Sequence, residues 1–204
     1  MPDLALALIP GHGNRPGRYD PGAVGTHAGL RVEEAGRVRM LALYIAEAAR
    51  AAGLPCTRHG EQAQYRDRQA AALTAHAGTP TIVLLHLHFN AGLAGRGSDY
   101  GLVLHDPRSS SGAATARKLA ASIPAAMAAR GIPAFRSQRV TAAVRPTWDR
   151  AANLLEPAWA VPNAHAVLLE PAFLDHPAGV AAVADDAALA ALAAGIVAAF
   201  AAPA

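Results

Sequence analysis

Three short apolar runs, far apart along the chain, constrain its fold more than any other feature. They are "LALALI" at residues 4–9, "TIVLLHLHFN" at residues 81–90 and "AHAVLLEPAF" at residues 164–173. Apolar runs of this length predict buried strands. Segments with helical character separate them, and such alternation predicts an α/β fold in which helices pack on a sheet.

The remaining segments extend this pattern within one domain. With 204 residues, the chain is long enough to bury a sizeable core, and we treat residues 1–204 as a single domain. Further helices are predicted at residues 33–53, 65–78, 112–131 and from about Ala187 onwards. Residues 54–58 and 100–106 predict short strands, and Pro124 is expected to interrupt or kink the third helix. The Gly-rich residues 10–29 predict a loop.

The charge and cysteine content argue against several classes of function. There are 18 Lys and Arg residues against 15 Asp and Glu residues. No basic run is dense enough to predict nucleic-acid binding. No segment reaches the roughly 20 uninterrupted apolar residues of a membrane span. Cys56 is the only cysteine, which excludes an intrachain disulfide and a thiolate metal cluster. The N-terminus lacks the basic and apolar segments of a signal peptide.

Four polar residues lie where predicted strands end or helices begin. His12 follows the first strand, Glu34 begins the first helix, and His88 and Glu170 lie near the ends of later strands. Two histidines and a glutamate form a ligand set of catalytic zinc sites, and another carboxylate would provide the general base. Three of these residues also have a purely structural interpretation: His12 as a loop histidine, Glu34 as a helix N-terminal acid and His88 as a core histidine. Glu170 is hardest to explain this way, because burying an unpaired carboxylate is costly.

Taken together, the motifs resemble a known family. The series "LIPGHG…DPGAVG…E…HFNAG…VLLEPAF" is similar to the zinc-dependent N-acetylmuramoyl-L-alanine amidases of amidase family 3. The resemblance implies a twisted, mixed and largely parallel sheet with helices on both faces. It also implies that the chain uses Zn²⁺ to hydrolyse the amide bond between N-acetylmuramic acid and L-alanine in peptidoglycan.

Matched motif by motif, the resemblance assigns roles to individual residues. His12 in "GHG" and His88 in "HFN" correspond to zinc ligands, and Glu170 in "LLEPAF" corresponds to the catalytic glutamate. The glutamate ligand lies in "VEEAG", where Glu33 and Glu34 both stand. We favour Glu34, because its helical spacing from Val38 and Leu41 places it on the buried face of the helix. Glu33 stays the alternative.

Three more residues are candidates for supporting the site or facing the substrate: His86, Asn90 and Arg68. His86 stands where the family commonly has serine. On a strand it shares a face with His88 but lies roughly 6–7 Å further back. We therefore expect His86 beside the ligands or in the core, and whether it touches the metal stays open. Arg68 resembles an arginine that usually precedes the central strand in the family.

The resemblance also suggests partners and a setting. Peptidoglycan or muropeptides are the expected substrates. We expect neither nucleic acid nor a membrane as a partner, and we favour a monomer, although the sequence leaves the oligomeric state open. A phage endolysin, made in the cytoplasm and released to the wall, fits a catalytic domain without an export signal. The alternatives are another zinc amidohydrolase or peptidase on the same scaffold, or a non-catalytic wall-binding domain. Residues 131–163 match no motif of the family, so they leave stem-peptide specificity open.

Overall fold

The computed structural model describes most of the chain, in segments that include every predicted site residue. The described residues are 3–15, 17–60, 64–91, 101–106, 108–128, 140–142, 154–155 and 161–201. The strands are β1 (Leu4–Pro10), β2 (Gly13–Arg15), β3 (Arg18–Asp20), β4 (Val24–His27), β5 (Leu30–Glu33), β6 (Cys56–Arg58), β7 (Thr81–Leu87), β8 (Leu102–His105), β9 (Val140–Ala142) and β10 (Ala164–Glu170). The helices are α1 (Glu34–Ala51), α2 (Tyr65–Ala75), α3 (Ser110–Ala128), α4 (Pro177–Ala184) and α5 (Asp186–Ala198).

The central sheet contains six strands in the order β6-β1-β7-β10-β8-β9. The first four strands of this order are mutually parallel, whereas β8 runs antiparallel to β10 and β9 runs parallel to β8. At the centre, Leu85 of β7 pairs with Leu8 of β1 and with Val167 of β10. The predicted mixed and largely parallel sheet is therefore confirmed. The carboxyl ends of β1, β7 and β10 lie side by side at one edge.

Both faces of the sheet are covered, which explains why its strands are apolar throughout rather than alternating. Successive side chains of a strand point to opposite faces. Leu6, Leu8 and Val83 belong to the core that also contains residues of α1, α3, α4 and α5. Ala7 and Ile9, on the opposite face, pack in a smaller core with Ala72 of α2. Parallel strands buried on both faces require such continuous apolar runs.

Helix α1 confirms the predicted helix and its buried face. Val38, Leu41 and Ile45 are all fully buried, at the spacing expected for one face of a helix. Gly53, whose φ of 69° lies in the left-handed region that glycine adopts readily, follows the end of the helix. Glu34 is its first residue and is also buried. The start of α1 is thus anchored at the carboxyl edge of the sheet.

Helix α3 continues past Pro124, so the predicted interruption is wrong, whereas the alternative of a kink stays a prediction. Pro124 has no N–H to donate to the carbonyl of Ala120, and the helix tolerates the loss of that one backbone bond. At the other end, the Ser109 hydroxyl accepts a hydrogen bond from the Gly112 N–H at 2.9 Å. This side-chain cap explains why the helix begins slightly earlier than its alanine-rich pattern indicates.

The predicted Gly-rich loop is more ordered than expected. It forms two antiparallel hairpins, β2–β3 and β4–β5. Gly13 pairs with Asp20 in the first hairpin, and Val24 pairs with Glu33 in the second. Strands this short, with few apolar residues, show no alternation from which a strand can be predicted. The hairpins bring the motif "DPGAVG" against the start of α1.

The chain closes with two consecutive helices, of which only α5 was predicted. Asp185 caps α5 by accepting a hydrogen bond from the Ala187 N–H at 2.8 Å. In the described residues, no single helix is long and apolar enough to cross a membrane. Helices α4 and α5 reach that length and apolar content only together, with a bend of 88° between them.

Candidate metal centre

The candidate site lies at the carboxyl edge of three neighbouring parallel strands, where sites in α/β sheets commonly form. The Gly11 N–H donates to the Leu87 carbonyl at 2.8 Å, just beyond the end of β1. The His88 N–H donates to the Leu169 carbonyl at 2.9 Å, just beyond the end of β7. These bonds extend the ladder past the strands. They bring the loop of His12, the backbone of His88 and the end of β10 next to one another.

The side chains of His12, Glu34 and His88 converge at this edge. One ligand atom from each residue lies within 4.8 Å of the other two. Oε1 of Glu34 is 3.2 Å from Nε2 of His12 and 3.0 Å from Nδ1 of His88. The two imidazole rings stand edge to face, with their centroids 5.0 Å apart. Two ring nitrogens and one carboxylate oxygen therefore form a compact donor set that could hold a metal ion.

Glu34 is held as a buried carboxylate. Burial raises its pKa, but hydrogen bonds from His12 and His88 and their positive charge outweigh burial and lower the pKa to about 2. Backbone donors assist: the Ala23 N–H donates to Oε2 at 2.7 Å, and the Phe89 N–H donates to Oε1 at 3.0 Å. For His12, burial lowers the pKa, yet the carboxylates of Glu34 and Asp20 raise it overall. An ionised carboxylate is the form that binds a metal.

Two glycines in the motifs leave room for these side chains. A Cβ atom on Gly11 would lie 2.6 Å from Nδ1 of His88. A Cβ atom on Gly22 would lie 2.5 Å from Oε2 of Glu34 and 2.7 Å from the His12 ring. Gly22 also has a φ of 70°, which side-chain-bearing residues rarely adopt. The glycines of "PGHG" and "DPGAVG" are thus explained by close approach to the donor set.

The backbone at His12 is strained and is held from several sides. His12 has a φ of 56°, in the left-handed region, although it is not glycine. Its N–H donates to the Tyr65 hydroxyl at 2.8 Å. Buried Arg68 donates to the carbonyls of Pro10 at 2.6 Å and His12 at 3.5 Å. The structure therefore places Arg68, predicted near the site, behind the loop that carries His12.

His86 lies beneath the site rather than among the three converging residues. It is fully buried, and its Nε2 accepts a hydrogen bond from Nε2 of Gln69 at 3.1 Å. Gln69 also donates to the Leu154 carbonyl at 2.7 Å. Burial, followed by the nearby charges of His88 and Arg68, lowers the pKa of His86 to about 3. This histidine is therefore neutral and belongs to a buried polar contact with α2.

The structure distinguishes the two neighbouring glutamates. Glu33 accepts hydrogen bonds from the Tyr19 hydroxyl at 2.9 Å and from Nε of Arg31 at 2.7 Å. These two donors, Tyr19 first, lower the pKa of its carboxyl. Both bonds are exposed, and Glu33 is not among the three residues whose ligand atoms converge. Only Glu34 joins the converging group, as its position on the buried face of the helix predicts.

Glu170 is the last residue of β10 and is half-buried at the same edge. Nδ2 of Asn90 donates to its Oε2 at 2.5 Å. Asn90 is itself fixed by two backbone bonds of 2.8 Å, one to Ala172 and one from Leu174. The segment after β7 is thus bound to the segment after β10. Asn90, predicted near the site, holds the carboxylate of Glu170.

Sequence reasoning missed two residues that contact the site, Asp20 and Tyr65. Asp20 belongs to the "DPGAVG" motif, and its Oδ2 lies 3.1 Å from Nδ1 of His12. Tyr65, Arg68 and Gln69 are spaced so that they share one face of α2. That polar face is the signal that could have identified Tyr65. Most of residues 131–163, the stretch without family motifs, lies outside the described residues.

Comparisons with known proteins identify the family and the fold. The family model described as N-acetylmuramoyl-L-alanine amidase matches residues 6–202. The fold is similar to the catalytic domain of CwlV from Bacillus (Paenibacillus) polymyxa var. colistinus, at a TM-score of 0.67 and 18% identity over 96% of this chain and 95% of that one. It is also similar to the N-acetylmuramoyl-L-alanine amidase AmiC2 of Nostoc punctiforme, at a TM-score of 0.68 and 18% identity over 96% of each chain.

A third similar structure is the catalytic domain of the CD27L endolysin, which targets Clostridia difficile. Its TM-score is 0.58 at 16% identity, over 95% of this chain and 96% of that chain. Among curated proteins, none matches this sequence. At such low identities the solved structures establish the fold, which is the one that the sequence pattern predicts.

Proposed function

Because the chain belongs to the N-acetylmuramoyl-L-alanine amidase family, we propose that it works with a zinc ion held by His12, Glu34 and His88. It is a hydrolase, and its reaction is hydrolysis of the peptidoglycan amide that joins N-acetylmuramic acid to L-alanine. The observation that carries the proposal is the convergence of the three ligand atoms within 4.8 Å. These atoms come from three separate parts of the chain.

The donor set fits zinc better than the hard cations. Ca²⁺ and Mg²⁺ prefer oxygen ligands, whereas two imidazole nitrogens with one carboxylate oxygen suit Zn²⁺. Three protein ligands are also typical of catalytic rather than structural zinc sites, which use four. Glu34 is ionised, and its Oε1 faces a nitrogen of each histidine. Zinc supplies Lewis acidity at such a site.

We assign the proton transfers to Glu170. In the proposed reaction its carboxylate takes a proton from the attacking water while the water oxygen bonds to the carbonyl carbon. The carbon–nitrogen bond then breaks, and Glu170 returns the proton to the departing L-alanine nitrogen. The hydrogen bond from Asn90 orients the carboxylate for this exchange. The backbone bond between His88 and Leu169 supports the assignment, because it aligns the end of β10 with the metal ligands.

Digestion of purified peptidoglycan tests the function directly. The products are analysed by mass spectrometry with the protein as purified, after chelation, and after zinc is added back. We expect free L-alanine amino groups and no new reducing sugar ends, loss of cleavage on chelation and recovery with zinc. Cleavage within the stem peptide would instead indicate a peptidase on this scaffold. Undiminished cleavage by metal-free protein would exclude the metal.

A Glu170→Gln variant separates the base from the metal. It should retain zinc but lose activity by about 10²–10⁴-fold, the usual contribution of general acid–base catalysis. Glu33→Gln is the matched control, because Glu33 bonds to Tyr19 and Arg31 at the outside of the hairpin. Zinc content is measured for both variants by metal analysis. A fully active Glu170→Gln protein would remove Glu170 from the mechanism.

The endolysin setting is part of this proposal. It is supported by the fold shared with the catalytic domain of the CD27L endolysin. Production in bacterial cytoplasm should leave cells intact until their inner membrane is permeabilised, after which an endolysin lyses them. Culture turbidity before and after permeabilisation measures this, with the Glu170→Gln variant as the inactive control. Lack of lysis by protein that digests purified peptidoglycan would argue for wall remodelling instead.

A further inference from the structure

We propose that Asp20 is a positioning residue that fixes the ring of His12 in the tautomer that can bind a metal. The inference rests on the proposed function for its consequence, which is tighter zinc binding. Its structural content is the contact between the Asp20 carboxylate and Nδ1 of His12, which is present in the metal-free protein. Asp20 would act through His12 and would not touch zinc itself.

Both oxygens of Asp20 are engaged in ways that orient it towards His12. Oδ2 lies 3.1 Å from Nδ1 of His12, and Oδ1 accepts a hydrogen bond from the Gly22 N–H at 3.1 Å. Asp20 ends β3, where its ladder partner is Gly13, the residue directly after His12. The first hairpin therefore carries the carboxylate back to the ring. The bond to Gly22 prevents the carboxylate from turning away.

The hydrogen-bond chemistry of the pair determines which nitrogen carries the proton. A neutral imidazole has one N–H, and an ionised carboxylate can only accept. In the metal-free protein Oε1 of Glu34, 3.2 Å from Nε2, competes for the ring proton, because each ring nitrogen then faces a carboxylate oxygen. Once Nε2 binds a metal beside Glu34, the Asp20 contact keeps the proton on Nδ1 and leaves the lone pair of Nε2 for the metal. A carboxylate bound to the far nitrogen of a histidine ligand is a common arrangement that tunes metal affinity.

His88 lacks an equivalent support. Its Nδ1 faces Glu34 at 3.0 Å, so Nε2 is the far nitrogen. That Nε2 is buried, and within the described residues it has no hydrogen-bond partner. The backbone ladder places His88, whereas His12 lies in a loop and depends on its neighbours. We therefore expect the affinity for zinc to be sensitive to Asp20.

The tautomer is measured in the zinc-loaded protein. The ¹⁵N chemical shifts of protonated and metal-bound imidazole nitrogens differ strongly, so NMR reports which nitrogen of His12 keeps the proton. A His12→Gln spectrum assigns the His12 signals among those of the nine histidines. We expect a protonated Nδ1 and a zinc-bound Nε2 at His12 in the unmodified protein. Zinc on Nδ1 with the proton on Nε2 would overturn the inference without recourse to any Asp20 variant.

The consequence is measured by titrating zinc against a chromogenic chelator. In Asp20→Asn, the amide can donate to Nδ1, which shifts the proton to Nε2 and weakens zinc binding by about 10–100-fold. Glu33→Gln, in the neighbouring hairpin, should bind zinc like the unmodified protein. Circular dichroism of the metal-free variants shows whether both are folded. Asp20→Ala serves as a second variant. It should also weaken zinc binding, but alanine offers no N–H that could donate to Nδ1 and reverse the tautomer.

The outcomes separate this inference from the proposed function. Zinc affinity unchanged in Asp20→Asn, with the proton still on Nδ1, overturns the role of Asp20 and leaves the metal site standing. An unmodified protein that binds no zinc overturns the proposed cofactor. In that case the ¹⁵N signals of metal-free Asp20→Ala decide whether Asp20 orients His12: ring signals unshifted from the unmodified protein overturn that role, and shifted signals support it.

Discussion

His12 and His88 reach the same carboxylate by different structural routes. His88 lies one residue beyond β7, where its backbone continues the ladder to Leu169. His12 lies in a loop with a left-handed φ, held by the side chains of Tyr65, Arg68 and Asp20. A residue at a strand end inherits its position from the sheet. A residue in a loop needs side-chain contacts to keep a comparable position.

The largest effect is expected from removing either histidine. His88→Ala and His12→Ala should both lose zinc and lower activity by more than about 100-fold, since each removes a direct ligand. His86→Ala is the matched control two residues before His88, because His86 bonds to Gln69 beneath the site. It should retain zinc at reduced affinity. Metal analysis and product release measure both properties. Zinc loss in His86→Ala equal to that in His88→Ala would contradict the distinction.

The two glycines provide a second comparison, one beside each histidine. Gly22→Ala should destabilise the fold by about 1–2 kcal/mol from its positive φ alone, and should also displace His12 and Glu34. Gly11→Ala meets the His88 ring but carries no such backbone penalty. Urea unfolding and zinc titration compare the variants. Equal loss of stability in both would show that the loop of His12 is no more strained than the sheet edge.

A smaller effect is expected for Tyr65→Phe. The substitution removes the hydroxyl that accepts from the His12 N–H and leaves the phenyl ring beside His88. Leaving a partly buried N–H without its acceptor lowers the free energy of unfolding by about 1–3 kcal/mol. The loss affects the loop that carries His12. Thermal unfolding and zinc affinity are the measurements, with Tyr44→Phe on α1 as the control. Unchanged zinc affinity would mean that Asp20 and Arg68 suffice to hold the loop.

The mildest effect is a pH dependence from histidines away from the site. Burial lowers the pKa of His165, and likewise those of His59 and His76. Folding therefore favours their neutral forms, so their stabilising contribution is complete above the ordinary value of 6.5 and declines as pH falls below it. Urea unfolding of metal-free protein across this range measures the decline. His165→Gln, which can keep the contact with Thr115, should flatten the dependence, and an unchanged slope would argue against it.

Predictions from the sequence succeeded where burial imposes a pattern. The apolar runs that became β1, β7 and β10 and the amphipathic face of α1 were identified because their side chains meet a core. The hairpins between β1 and α1 were missed, because their strands are short and largely exposed. Pro124 was expected to interrupt or kink α3, but the helix continues past it, because the missing N–H removes only one backbone hydrogen bond.

The site shows the same division. His12, Glu34, His88 and Glu170 were singled out because their polar side chains stand at the ends of apolar or helical segments. Asp20 and Tyr65 were not, because they act through contacts with elements far away in the chain. Tyr65 is 53 residues from His12, and only the packing of α2 beside β1 brings them together. Periodicity reports which face of an element is buried, not which neighbour it meets.

By itself, the sequence determined the fold class, the order of the elements and the chemical types gathered in the motifs. These follow from local patterns of apolar, glycine and acidic residues, which act over a few positions. Only the tertiary structure decided that Oε1 of Glu34 meets both histidines, one of them 54 positions away. That meeting depends on the strand order β1-β7-β10 and its register, which are set by hydrogen bonds and packing between distant segments. It also depends on β7 ending at Leu87, because His88 then lies at the edge of the sheet, where its ring meets Glu34 at the start of α1.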